Sequence, residues 1–216
     1  MPIEDDLVQR TLAELSVALA RLDRRPDAAV ADARALLDRA YRRHLGVGGD
    51  VLRRLPSEQL VAVISTTGRL DAERAFLTAA LLEVDAAMPG PDADHAPALR
   101  VRALDLYTEA GVARVGVEDL PERVRRLRAE LMGHVLPEAS YLRLLRWFFH
   151  DGRFAVAEDL LFEWLEEHGA TAALRDAGER LYDDLEAAPD ERLDAGELPR
   201  DEVREGRAVF HRNCGA

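Results

Sequence analysis

Residues 141–167 read YLRLLRWFFHDGRFAVAEDLLFEWLEE, and this stretch decides the fold class. Apolar residues dominate it up to His150, and after Arg153 they recur at the three- and four-residue steps of a helix. Asp151 and Gly152 interrupt the pattern, and glycine readily ends a helix because it tolerates a left-handed backbone. The stretch therefore predicts two antiparallel helices, with Ala157 small enough to let their backbones approach closely.

Helical patterns separated by glycine and proline also fill the rest of the chain. Helices are predicted at about residues 4–23, 27–45, 57–66, 70–88, 96–110, 119–132, 138–150, 153–168 and 171–187, with a last short helix from Pro199. A helical turn is expected at Val51–Leu55. No segment predicts a convincing strand, because the alternating run GVARVGV at 111–117 is short and contains two glycines. The sequence therefore predicts an all-α protein.

Proline and glycine also mark the expected domain organisation. We expect a single helical domain over residues 1–216, with an N-terminal half at 1–88, a linker at 89–95, a C-terminal half at 96–188 and a tail segment at 189–216. The helix at 138–150 is apolar on most of its circumference, which predicts a central place in the C-terminal half. Residues 190–198 are expected to form an acidic connector, and Cys214 to be an exposed thiol on a disordered end.

Composition excludes several classes of function. A formal net charge of −12 argues against nucleic-acid binding, which needs a positive field. The cluster Arg123–Arg128 is expected to be a solvated helix face. The acidic start MPIEDDLVQR does not resemble a signal peptide, and no long apolar run predicts a membrane span. A single cysteine fits a reducing compartment, so we expect a cytoplasmic protein.

No catalytic or metal-binding pattern stands out. The six histidines include no pair at the four-residue spacing of a helical metal site. His44, His150 and His168 fall at predicted helix C-termini, where an imidazole complements the helix dipole. Acidic clusters lie on outward helix faces, and Cys214 lacks the second cysteine and the histidine of a haem attachment motif. We therefore expect no catalytic residue, no metal and no cofactor.

Two resemblances refine the expected fold. The segment 152–165, with Gly-Arg-Phe followed by Ala157, Leu161 and Leu165, is similar to the second helix of a tetratricopeptide repeat. A regular 34-residue period does not recur. This resemblance implies antiparallel helical hairpins stacked as an irregular, tetratricopeptide-like α-α superhelix.

Four longer segments resemble an uncharacterised bacterial family, a domain of unknown function built from tetratricopeptide-like helices. They are DDLVQRTLAELSVALARL at 5–22, DVLRRLPSEQLVAVISTTGRLDAE at 50–73, the stretch 136–167, and LDAGELPRDEVREG at 193–206. The chain departs from the family pattern at Thr67, where a glycine is expected before Gly68. The resemblance implies a fold and carries no catalytic residues over to this chain.

The best binding candidate is a polar strip on the helix at 138–150. We predict a protein or peptide partner, of acidic or carboxylate character, in a groove lined by Tyr141, Arg143, Arg146, Trp147 and His150. The alternative for Arg143 and Arg146 is pairing with carboxylates of a neighbouring helix. Two other functions stay open: a homodimer through an apolar stripe on residues 7–22, and small-molecule binding between the halves near 89–96.

Overall fold

The computed structural model describes residues Ala13, Val17, 26–66, 68–89 and 95–214. Over these residues the chain forms eleven helices and one pair of two-residue strands, which confirms the all-α prediction. No helix in this part of the chain is long and apolar enough to cross a membrane. Apart from helical Ala13 and Val17, the predicted helix 4–23 and its stripe at 7–22 lie outside the described residues, as do residues 90–94 of the linker.

The chain divides into two compact units, Met1–His134 and Val135–Ala216. The boundary lies in a segment where Met132 and Val135 are exposed. The helices on both sides of residues 89–95 belong to the first unit.

The first unit contains six of the described helices: α1 (Pro26–Leu45), α2 (Gly49–Leu52), α3 (Ser57–Ile64), α4 (Ala72–Ala86), α5 (Ala96–Val112) and α6 (Leu120–Glu130). Its centre is α4, where every residue from Ala75 to Leu82 is buried, and α4 packs along α5. A helix that is buried all round has no polar face. The run AFLTAALL at 75–82 suits such a position, because it contains no charged residue and consists of Ala, Leu, Phe and one Thr.

A minimal β-hairpin corrects the expectation that the chain has no strand. Strands β1 (Ser65–Thr66) and β2 (Arg69–Leu70) pair antiparallel, with Ser65 opposite Leu70 and Thr66 opposite Arg69. Gly68 has φ +79°, a left-handed conformation that glycine adopts without strain. The helix predicted over 57–66 therefore ends at Ile64, because the chain turns back at this glycine.

The second unit contains the hairpin that the sequence indicated. Helices α7 (Glu138–His150), α8 (Phe154–His168) and α9 (Ala172–Ala187) match the predicted helices within one residue. Gly152, with φ +77°, makes the turn between α7 and α8. Four residues of α8 are fully buried: Ala157, Leu160, Leu161 and Trp164.

The C-terminal segment is more ordered than the sequence indicated. The connector predicted at 190–198 contains a helix, α10 (Asp190–Ala195). The short helix predicted from Pro199 is present as α11 (Arg200–Cys214), and it extends to Cys214, which was expected to lie on a disordered end. Arg207 of α11 binds Glu179, Asp183 and Glu186 of α9 at 2.8–2.9 Å. The Phe210 ring lies over Gly178, so closely that a β-carbon there would be 2.2 Å from it. These contacts dock α11 on α9.

Docking of α11 overturns the prediction that Cys214 is an exposed thiol. Cys214 is buried, with 4% of its surface exposed, and burial raises the pKa of its thiol. Burial limits the access of a reagent to the sulfur, and the raised pKa lowers the concentration of reactive thiolate. We expect the native protein to react with Ellman's reagent about tenfold or more slowly than the protein in denaturant. Equal rates in the two states would contradict a docked α11.

Candidate functional site

Three of the five predicted binding residues share one face of α7. Arg143, Arg146 and His150 follow one another at steps of three and four residues, which places them side by side on a helix. Arg146 is exposed, whereas Arg143 and His150 are partly buried. Arg143 Nη1 donates to the carbonyl oxygen of Ala139 at 3.1 Å, and both arginines make further interactions within the protein.

Tyr141 lies on the opposite side of α7. Its hydroxyl donates to Glu167 Oε2 at 2.8 Å and contacts Glu163 Oε1 at 3.2 Å, while its ring stacks on Trp164 at 5.7 Å. Burial raises the pKa of Tyr141 well above its ordinary value, and the two glutamates raise it further. Tyr141 therefore stays protonated and links α7 to α8.

Trp147 also belongs to the interior. Only 3% of its surface is exposed, and its ring packs against Phe148 at a centroid distance of 4.8 Å. The structure thus brings Arg143, Arg146 and His150 together but holds Tyr141 and Trp147 among the packed side chains.

A residue that sequence reasoning missed completes this surface. Leu142 is 39% exposed and lies four residues before Arg146, so the two are neighbours on the helix. Leu142 lies three residues after exposed Ala139 and four before exposed Arg146, and this spacing is the signal that could have identified it. We call Ala139, Leu142, Arg143, Arg146 and His150 the α7 outer face.

Further cations surround the C-terminal end of α7. The Arg192 guanidinium lies 5.7 Å from the Phe149 ring and 5.2 Å from the Phe154 ring. Arg153 lies 5.7 Å from the Phe148 ring. Both arginines are exposed, and cation–π contacts of this kind hold a guanidinium over an aromatic face. Two exposed arginines therefore lie near the C-terminal end of α7, which the exposed Asp151 directly follows.

His44, His150 and His168 lie in the last turns of their helices, as the sequence predicted. The surroundings of His168 and His44 differ. His168, the last residue of α8, has Nε2 2.8 Å from the carbonyl oxygen of Leu136. Burial lowers the pKa of His44, with Arg43 and Arg74 adding to the effect. Among the residues that the structure describes, no group of three or more histidine, cysteine or acidic residues could hold a metal ion.

The first unit contains a buried ionic cluster that the sequence did not predict. Asp85 of α4 accepts from Arg53 Nε at 2.8 Å and Nη2 at 3.2 Å, and from the Tyr41 hydroxyl at 3.3 Å. The Asp85 side chain is 5% exposed and that of Arg53 18%. The available signal was Asp85 near the end of an apolar helix, since a buried charge requires a partner.

Comparison with known proteins identifies one matching family. Its model, described as a family of unknown function (DUF6483), matches residues 3–212. No curated protein and no solved structure matches the chain.

Proposed function

The chain belongs to this family of unknown function, and on that premise we propose that it is a non-enzymatic helical scaffold that binds a partner protein. The docking surface in this proposal is the α7 outer face, and the ligand is an acidic peptide segment of the partner. The observation that carries the proposal is the exposed pair Leu142 and Arg146 on one helix face.

Charge supports an acidic ligand. The α7 outer face contains two arginines and a histidine, whereas the chain as a whole is acidic. The one carboxylate of α7, that of Glu138, accepts a hydrogen bond from the Thr171 hydroxyl at 2.7 Å. Like charges repel, so a chain with a net charge of −12 disfavours acidic ligands except where basic residues gather. Arginine also presents a planar fork that matches a carboxylate in two hydrogen bonds.

The apolar part of the face supports a peptide over a simple anion. Leu142 offers an aliphatic contact beside the Arg146 charge, and Phe149 is partly exposed beneath Arg192. A ligand that fits both features carries carboxylates next to an aliphatic or aromatic side chain. A peptide can present both kinds of group, and peptides often bind protein surfaces through a few anchoring side chains.

We further propose that the helical hairpins stack as in tetratricopeptide repeats and that the protein is cytoplasmic. The antiparallel hairpin α7–α8 and the following α9 suit a tetratricopeptide-like stack, in which one helix face of each hairpin is left for ligands. A cytoplasmic setting suits a chain with a single cysteine.

The proposal predicts that selection from a random peptide library will enrich acidic peptides with an apolar anchor. We expect Arg146→Glu to weaken binding of the enriched peptides about tenfold or more, because it replaces attraction by repulsion at the centre of the face. Fluorescence polarisation with labelled peptides measures the affinities.

Arg180→Glu is the matched control. Arg180 lies on α9 with its side chain 73% exposed, in a 4.0 Å pair with Asp176, so its reversal changes net charge equally. We expect this control to bind like the wild type. Enrichment of peptides without net negative charge, or equal weakening by both reversals, would contradict docking on the α7 outer face. Thermal unfolding of both variants confirms that the fold is retained.

A further inference from the structure

Helix α11 contacts the Glu158 side chain of α8 at Gly206. A β-carbon at position 206 would collide with the Glu158 carboxylate and would lie 3.0 Å from the Tyr182 hydroxyl of α9. Glycine within a helix is unfavourable relative to alanine, so the glycine at this position is explained by the close approach that it permits. The backbone of α11 therefore rests against a carboxylate and a hydroxyl of the two neighbouring helices.

Glu158 is a partly buried acid whose charged neighbours are themselves acids. Its Oε1 accepts a hydrogen bond from the Tyr182 hydroxyl at 2.8 Å. Burial raises the pKa of the Glu158 carboxyl, the Tyr182 hydrogen bond opposes this effect, and the negative charges of Asp159 and Glu202 raise the pKa further. Glu202 belongs to α11, so the docked helix brings a like charge towards Glu158.

The polar contacts between α11 and α9 respond to pH in different ways. Arg207 binds three carboxylates of α9, and an arginine keeps its positive charge throughout the physiological range. His211 Nε2 lies 2.7 Å from Glu179 Oε1, and a histidine changes its charge between about pH 5 and pH 8. A test of Glu158 must therefore separate its titration from that of His211.

We propose that Glu158 is a proton-operated latch for α11: the helix stays docked while this carboxyl is protonated and undocks more often when it ionises. Ionisation places a negative charge against the α11 backbone and near Glu202, and burial deprives that charge of water. Undocking returns the carboxylate to water. It also uncovers Cys214 and separates the Phe210 ring from Tyr182, on which it packs at a centroid distance of 5.8 Å.

The direction of the pH effect follows from proton linkage. A carboxyl whose pKa is higher in the docked than in the undocked state takes up a proton on docking. The contribution of Glu158 to docking is therefore complete below the ordinary pKa of 4.5 and is lost as pH rises through the raised pKa. The Arg207 pairs require ionised acids, which sets the lower limit of the useful range. Docking should weaken from about pH 5 to about pH 8.

The reactivity of Cys214 measures docking, because α11 must move before a reagent reaches the buried sulfur. Dithiodipyridine is applied to the native and the urea-denatured protein at each pH. The ratio of the two rates gives the protection of Cys214, and the denatured reference cancels the titration of the thiol itself. We expect protection in the wild type to fall at least about threefold between about pH 5 and about pH 8.

Glu158→Gln removes the titration and keeps an acceptor for the Tyr182 hydroxyl. His211 is common to the variant and the wild type, so its contribution cancels when the two pH profiles are compared. We expect the fall in protection to be at least about threefold smaller in the variant, and its protection at about pH 8 to exceed that of the wild type.

Glu202→Gln and Glu205→Gln form a matched pair on α11. Both acids are exposed and both changes alter the net charge equally, but Glu202 acts electrostatically on Glu158. We expect Glu202→Gln to reduce the fall in protection and Glu205→Gln to leave it as in the wild type. Circular dichroism of each variant verifies that the helices are retained.

The latch lies within the second unit and does not rest on peptide binding by the α7 outer face. It is overturned if protection of Cys214 in the wild type does not fall as pH rises, or if Glu158→Gln shows the same fall as the wild type. Equal pH profiles of Glu202→Gln and Glu205→Gln would also overturn it, and this comparison holds even if Glu158→Gln fails to fold.

Discussion

Replacement of Asp85 by alanine is expected to lower the free energy of unfolding by about 3–5 kcal/mol. The change leaves the Arg53 guanidinium, which is 18% exposed, without its buried carboxylate, and it removes the acceptor of the Tyr41 hydroxyl. The guanidinium then keeps its desolvation cost and retains only the exposed Asp50 as an acidic partner. Urea denaturation followed by far-UV circular dichroism measures the effect. The dependence of the unfolding free energy on urea concentration should be the same in the variant and the wild type.

Asp50→Ala is the internal control, because it removes the other carboxylate bound to the same arginine. Asp50 is 92% exposed, so we expect this change to cost less than about 1 kcal/mol. The two acids differ in burial and share Arg53 as partner. Similar losses of stability in the two variants would show that burial does not determine the strength of the Arg53 interactions.

Replacement of Trp164 by alanine is expected to destabilise the second unit by about 3–5 kcal/mol. Trp164 is fully buried on α8 and stacks on Tyr141 of α7 at 5.7 Å, so its loss leaves a cavity between the two helices. Tryptophan emission follows the unfolding, since Trp147 of α7 remains as the probe.

Trp164→Phe separates packing from hydrogen bonding at this position. The indole N–H is buried and has no acceptor among the described residues, and an unsatisfied buried donor destabilises the fold. Phenylalanine removes that donor and keeps one aromatic ring against Tyr141. We therefore expect it to cost less than half as much as alanine. Equal costs would contradict a packing role for the ring.

The helices of the second unit were predictable because their signals are local. Apolar spacing within 138–150 and 153–168, with Gly152 between them, requires no knowledge of distant residues. The same reasoning failed at 190–198 and at Cys214. There α11 is held on α9 by contacts such as those of Arg207, which no local pattern reveals.

The candidate site was predictable in part. Helical spacing alone places Arg143, Arg146 and His150 on one face. It also places Tyr141 on the opposite face, but the exposed Leu142 and the buried Trp147 became distinguishable only once the surroundings of α7 were known. A helix that is apolar on most sides does not reveal by itself which apolar residue remains in water.

The sequence by itself determined that the chain is all-α, where most of its helices begin and end, and that glycine makes the α7–α8 turn. Backbone propensity and periodicity act over a few residues, so a sequence displays them directly. Only the tertiary structure decided that Asp85 pairs with Arg53 and Tyr41, which lie 32 and 44 residues away along the chain. It also decided that Arg207 pairs with the acids of α9, because the burial and pairing of a charge depend on which helices pack together.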